Sequence, residues 1–81
     1  MHVKLLLFAS YRDMAGTDEL RLEVPDGATV HDLLATLRSR NRAFTTLPPR
    51  PAVAVNLDYA ALDTPLQDGD DVALLPPVAG G

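Results

Sequence analysis

The sequence has 81 residues, of which 47% are hydrophobic and 22% charged, and a formal net charge of −4 at pH 7. This length predicts one small domain with little room for a deep catalytic pocket, and the lack of cysteine excludes disulfides, thiol nucleophiles and thiolate metal sites. The acidic balance argues against a nucleic-acid-binding surface, which is expected to be basic.

Hydropathy gives no sign of membrane association. The longest uninterrupted apolar run is residues 5–9, far shorter than a membrane span. The N-terminus has no charged region followed by a long apolar core. We therefore expect no membrane contact and a cytoplasmic location.

The N-terminal third predicts two strands. His2–Ser10 is apolar at both odd and even positions, which is typical of a central strand covered on both faces. Tyr11–Thr17 predicts a connection that Gly16 closes. Glu19–Val24 alternates apolar and charged residues and predicts a strand with one wet face, paired with the first strand.

A helix is predicted after the turn signal at residues 25–27. Thr29 suits the N-cap, and Asp32 stands three residues later as a weaker form of the capping box that also favours the helix dipole. Helical spacing gives one apolar stripe, formed by Val30, Leu33, Leu34 and Leu37. Basic residues near the C-terminal end predict about three turns ending near Asn41.

The second half predicts further strands joined by loops. Phe44 and Leu47 are expected to plug the edge of the core from a proline-rich connection. The predicted elements are a strand over Ala52–Leu57, a tight turn into a short strand over Asn56–Tyr59, a loop over Asp63–Gly69 and a last strand over Asp71–Leu75. The order is β-β-α-β-(β)-β.

The last residues predict an extended tail that leaves the sheet. Prolines cannot donate to a strand ladder and hold the preceding residue extended. Six residues reach at most ~20 Å, long enough to enter another protein's active site. The tail-threading candidates are Pro76, Pro77, Val78, Ala79 and Gly80. We divide the chain into a domain over residues 1–75 and a tail over 76–81, whose reactive group is the α-carboxylate of Gly81; simple fraying of the chain end is the alternative.

A partner-binding surface is predicted at the root of the tail. One helix leaves the other face of the sheet open, and if Leu6 and Phe8 point to that outer face, Phe8 and Leu75 form an exposed apolar patch. Alternation does not assign the faces of the first strand, because both are apolar. Arg12 in the following connection is a third candidate contact. Acidic residues that precede the tail suggest an acidic flank that steers a basic partner; they include Asp68, Asp70 and Asp71.

Other candidate sites are weak. Asp70 and Asp71 are adjacent on a strand and point to opposite faces, so they are not expected to share a proton. His2 and His31 have no ligand cluster around them, and we expect no metal site. No glycine-rich phosphate loop is present, so ATP must bind a partner.

Three segments resemble a known family, the small sulfur-carrying subunit of molybdopterin synthase. The resemblance covers essentially the whole chain. The C-terminal segment over residues 68–81, DGDDVALLPPVAGG, carries most of it, with support from residues 7–16, LFASYRDMAG, and from the pair Val55-Asn56. Asp71 and Ala79 are mild departures, since the family more often has glutamate and a hydroxyl or other small residue there.

The resemblance implies an α+β fold, the ubiquitin-like β-grasp, with a mixed sheet and one main helix packed on one face. It implies that a partner adenylyltransferase activates Gly81 with ATP and Mg, that a sulfur donor protein converts it to a thiocarboxylate, and that the tail enters the large synthase subunit. There the sulfur is delivered to cyclic pyranopterin monophosphate in molybdenum cofactor biosynthesis. The chain would bind no cofactor, would not be catalytic alone, and would act within a heterotetramer.

Two other functions remain open. A sulfur carrier of another pathway, such as thiamine thiazole synthesis, shares the fold and the Gly-Gly end but usually lacks the Pro-Pro-Val approach. A ubiquitin-like modifier or inert interaction module would join its tail to lysines of targets, or to none.

Overall fold

A computed structural model describes residues 1–48 and 51–76 of the chain. The strands are β1 (His2–Leu7), β2 (Glu19–Glu23), β3 (Ala52–Val55), β4 (Asp58–Tyr59) and β5 (Asp71–Leu75). The helices are α1 (Ala9–Ala15) and α2 (Val30–Arg40), followed by a 3₁₀ turn over Arg42–Phe44.

The strands form one mixed five-stranded sheet in the order β2-β1-β5-β3-β4. The β1–β5 pair is parallel, and the other three pairs are antiparallel. The last strand of the chain is therefore the middle strand of the sheet, with a neighbour on each side. The predicted pairing of the first two strands is confirmed, and the α+β class with a mixed sheet is confirmed as well.

The first strand is shorter than predicted, and a second helix follows it. β1 ends at Leu7 instead of Ser10, and α1 occupies most of the segment predicted as a connection. Tyr11 explains the helix, because its side chain is buried in the core and one helical turn places it there. Gly16, at φ 74°, ends α1 in the left-handed conformation and donates its N–H to the carbonyl of Arg12.

Helix α2 follows the sequence prediction closely. Thr29 is the N-cap: its hydroxyl accepts from the N–H of Asp32, and the Asp32 carboxylate accepts from the N–H of Thr29 at 2.9 Å. The helix ends at Arg40 with Asn41 as its C-cap. All four residues of the predicted apolar stripe are buried, namely Val30, Leu33, Leu34 and Leu37.

The β3–β4 hairpin differs from prediction in its turn. β3 ends at Val55, and Asn56 and Leu57 form the turn with φ of 49° and 76°. Leu57 is the last residue of the predicted strand Ala52–Leu57, yet it lies in the turn and is 98% exposed at the hairpin tip. The Asn56 amide donates to Oδ1 of Asp70 at 2.9 Å and its carbonyl oxygen accepts from the N–H of Asp71 at 3.0 Å, which fastens the hairpin to the start of β5.

The core lies between α2 and one face of the sheet. Its strand residues are Val3, Leu5, Leu7, Val53, Val72 and Leu74. Phe44 and Leu47 are also buried, which confirms their predicted role at the edge of the core. Within residues 1–48 and 51–76, no helix is both long and apolar enough to cross a bilayer.

Candidate functional site

Strand β5 carries the chain out of the sheet at Leu75. It pairs with β1 through Leu74 opposite Leu7, and with β3 through Leu75 opposite Ala52. Pro76 follows and is half-buried. The remaining predicted tail residues lie outside the described residues; they are Pro77, Val78, Ala79, Gly80 and Gly81. The tail therefore starts from a strand that is paired on both sides.

The face of the sheet opposite α2 is apolar along its middle. Residues that are paired across strands share a face, and those that alternate with the core residues line this outer face. One row of paired residues runs Leu6, Ala73, Ala54 and Tyr59, and a second row pairs Leu75 with Ala52. We call these six residues the outer face. Neither helix of the described residues packs on it, since the buried residues of both lie in the core on the other face.

Phe8 lies at the tail end of the outer face. It directly follows Leu7, which pairs with Leu74. Phe8 therefore comes level with Leu75 on the neighbouring strand. Its side chain is 47% exposed and Leu75 is half-buried. Neither side chain is buried under the helix, as the predicted apolar patch requires. Their role in binding a partner stays a prediction.

Arg12 lies one helical turn beyond Phe8. Its N–H donates to the carbonyl of Phe8 at 3.3 Å, and its guanidinium lies 3.9 Å from the carboxylate of Asp13. The side chain is exposed and lines a shallow depression with Gly16 and Asp18. The structure thus places the three predicted contact residues at one end of the sheet, around the tail exit.

Three residues of the predicted acidic flank lie at the start of β1 and β5, away from Leu75. Asp68 accepts from the N–H of His2 at 2.7 Å, and the carbonyl of Asp70 accepts from Lys4. These contacts are with the start of β1, and Asp71 begins β5. These residues are close to the tail in the sequence, but the extended strand β5 places Asp71 and Leu75 ~13 Å apart.

The sequence did not single out Tyr59 as a candidate. It is 84% exposed and extends the outer face onto the edge strand β4. A signal was present, since small Ala52 and Ala54 alternate with larger Val53 and Val55 and indicate a strand with an apolar face on each side.

Titratable groups offer no conventional catalytic centre in the described part of the chain. No polar or charged side chain there is buried, and no group of three His, Asp or Glu residues could hold a metal ion. Burial raises the pKa of the Tyr11 hydroxyl, whose ring packs against Phe44 with centroids 6.3 Å apart. Tyr11 is therefore a structural residue that anchors α1.

Known proteins resemble this chain over nearly all of its length. The model of the ThiS family matches residues 5–81. A molybdopterin synthase sulfur carrier subunit from Chlamydomonas reinhardtii is 37% identical, and small archaeal modifier protein 3 from Haloferax volcanii is 35% identical; each alignment covers all of both chains.

Solved structures agree with this. SAMP1 from Haloferax volcanii superposes with a TM-score of 0.88 at 32% identity, over all of both chains. A chain of the complex of subunits 1 and 2 of the molybdopterin-converting factor from Helicobacter pylori superposes with a TM-score of 0.72 at 28% identity, again over all of both chains. The chain therefore belongs to the ThiS family of ubiquitin-like β-grasp proteins, together with molybdopterin synthase sulfur carrier subunits.

Proposed function

We propose that this chain is the sulfur carrier subunit of a molybdopterin synthase and that the α-carboxylate of Gly81 is its working group. The observation that carries the proposal is the position of β5: a strand held on both sides leads directly into a six-residue tail that ends in Gly80 and Gly81. The full-length similarity to sulfur carrier subunits supports it.

The chemistry requires activation of the tail by a partner. A carboxylate is a poor electrophile, because its negative charge repels nucleophiles and its leaving group would be oxide. Attack of the Gly81 carboxylate on the α-phosphorus of ATP, assisted by Mg²⁺ on an adenylyltransferase, releases pyrophosphate and gives an acyl-adenylate. Hydrosulfide supplied by a donor protein then attacks the carbonyl carbon, AMP leaves, and loss of the proton gives the thiocarboxylate. The resulting thiocarboxylate delivers its sulfur to cyclic pyranopterin monophosphate.

The folded domain provides the surface that these partners recognise. The outer face, with Phe8 and Arg12 at the tail exit, is the proposed docking surface for the large synthase subunit, which receives the tail. The similarity to a chain in the Helicobacter pylori complex of two subunits supports such a partner. A surface of this kind combines apolar residues with an arginine at its rim, as protein interfaces often do.

Deletion of Gly81 tests the proposal. We expect the truncated chain to keep the far-UV circular dichroism and unfolding midpoint of the full chain, because the described core is built from residues between Val3 and Leu74. We expect it to form no molybdopterin when mixed with the large subunit, the activating enzyme, ATP and a sulfur source. In the full chain, mass spectrometry should show a gain that matches one oxygen replaced by sulfur.

A matched control is Gly27→Ala, which alters a glycine in the turn before α2 and leaves the tail intact. This variant is expected to lose some stability, since φ is 83° there, while retaining molybdopterin formation below its unfolding temperature. Molybdopterin formation by the Gly81-deleted chain would contradict the assigned role.

A protein modifier is the second candidate, favoured by the similarity to small archaeal modifier protein 3 and to SAMP1. Both functions begin with the same acyl-adenylate and differ in the nucleophile, which is sulfur in one and a lysine amine of a target in the other. Isopeptide-linked conjugates recovered from cells, together with normal molybdopterin levels in a strain lacking the gene, would favour the modifier.

A further inference from the structure

The junction between β1 and α1 contains a backbone conformation that its residue type disfavours. Ala9 has a φ of 47°, in the left-handed region. Residues other than glycine, asparagine and aspartate visit this region rarely, because the Cβ atom approaches the carbonyl oxygen. Alanine bears this conformation at a cost, so something in the surrounding structure imposes it.

Packing of the Ala9 side chain is not what imposes it. Ala9 is exposed and belongs neither to the core nor to the residues packed against it. The neighbours on both sides do have fixed positions: Leu7 is 1% exposed and Tyr11 is 4% exposed. The chain must therefore leave β1 and bring Tyr11 back into the core within four residues.

Phe8 lies between the end of β1 and the bend at Ala9. The carbonyl of Phe8 accepts from the N–H groups of Tyr11 and Arg12 and so starts α1, while Phe8 itself keeps extended dihedral angles, φ −126° and ψ 154°. Residues 8–10 are exposed between the buried Leu7 and Tyr11, and Phe8 is the large apolar side chain among them. Strained backbone of this kind is concentrated at functional sites, where the surrounding structure holds it.

We propose that Ala9 is a positioning residue whose left-handed backbone presents Phe8 at the tail exit for docking of the large synthase subunit. The inference rests on the proposed function and deepens it, because it assigns a determinant of docking to a residue that contacts nothing in the core. Docking affinity should then depend on how well residue 9 tolerates positive φ, and not on its size or polarity.

The experiment measures binding of the purified full-length chain to the large subunit by calorimetry. Ala9→Gly and Ala9→Asn tolerate positive φ and are expected to bind as the wild type does. Ala9→Val, with a branched Cβ, is expected to weaken binding about tenfold. Ala9→Leu has an unbranched Cβ and serves if the valine variant does not fold; it should weaken binding by a smaller factor. Circular dichroism confirms that each variant is folded at the temperature used.

A double-mutant cycle separates positioning from general damage. Phe8→Ala removes the side chain that Ala9 presents and is expected to weaken binding about tenfold or more. In that background Ala9→Val should have little further effect, since nothing remains to be positioned. Equal losses in both backgrounds, or wild-type binding by folded Ala9→Val, would overturn the inference while leaving the proposed function intact. Wild-type binding by Phe8→Ala would overturn both the docking role of Phe8 and the positioning role of Ala9.

Discussion

Among the described residues, three other than glycine have a positive φ: Ala9, Asn56 and Leu57. The side chains of Ala9 and Leu57 are exposed, so burial in the core does not explain their conformation. Asn56, which precedes Leu57 in the hairpin turn, is suited to that conformation because its short polar side chain makes local hydrogen bonds. Leu57 lacks this compensation and is 98% exposed, so it costs stability without burying apolar surface. Asn56 thus stabilises the turn of the β3–β4 hairpin, and the turn forms although Leu57 adopts a disfavoured conformation.

Replacement of Leu57 by glycine should therefore stabilise the protein. Glycine adopts φ of 76° freely, and the gain is expected to be about 1 kcal/mol in the free energy of unfolding, measured by urea denaturation. Ala35→Gly, at an exposed position inside α2, is the matched control and should lower the free energy of unfolding by about 1 kcal/mol. A loss of stability in Leu57→Gly would show that the leucine side chain makes a stabilising contact.

At the scale of elements, the N-terminus of α2 is held by a reciprocal pair of hydrogen bonds. The pKa of Asp32 is lowered, first because the backbone N–H of Thr29 donates to its carboxylate and second because the Thr29 hydroxyl does so too. A lowered folded-state pKa means that the carboxylate stabilises the fold fully above its unfolded pKa. That contribution is lost as the pH falls through the folded-state value.

The stability cost of Asp32→Ala should accordingly depend on pH. We expect Asp32→Ala to lower the free energy of unfolding clearly at pH 7. The difference from the wild type should shrink below about pH 4, as the wild-type carboxylate becomes protonated. Thr29→Ala, which removes the other half of the pair, should cost about 1 kcal/mol at pH 7. Ala35→Gly, which leaves every titratable group in place, is the control, and its stability cost should not decrease at low pH. Urea denaturation from pH 2 to pH 7 provides the measurement.

The elements differ in how far the sequence reveals them. Helix α2 carries its own signals, namely a cap, an apolar stripe and a basic end, and these place it correctly. Helix α1 has no apolar stripe; only Tyr11 is buried in it, so local pattern favours a loop and tertiary packing decides the outcome. The candidate site is harder to predict: the first strand is apolar on both faces, so its pattern does not settle which face carries Phe8, and the bend at Ala9 leaves no trace in the residue type.

At the scale of the molecule, one face of the sheet is packed and the other is open. α2 covers the face that holds the buried strand residues, while the outer face carries Leu6, Leu75 and Tyr59 toward solvent. Asp68, Asp70 and Asp71 lie at the end of the sheet away from Leu75, whereas Arg12 lies beside Asp13 and Asp18. A partner that contacts Phe8 and Leu75 thus meets apolar residues together with a group of mixed charge.

The middle position of β5 also has a mechanical consequence. An enzyme that draws the tail into its active site pulls along the strand, and hydrogen bonds to β1 and β3 run across that direction, so both ladders bear the load together. A tail attached to an edge strand would load one ladder instead of two. Because the chain has no cysteine, handles can be attached at single introduced cysteines for force spectroscopy. Handles at Met1 and Pro76 should require a higher rupture force than handles at Met1 and Pro25, which open the β1–β2 pair from its end. Equal forces would mean that the sheet does not anchor the tail against traction.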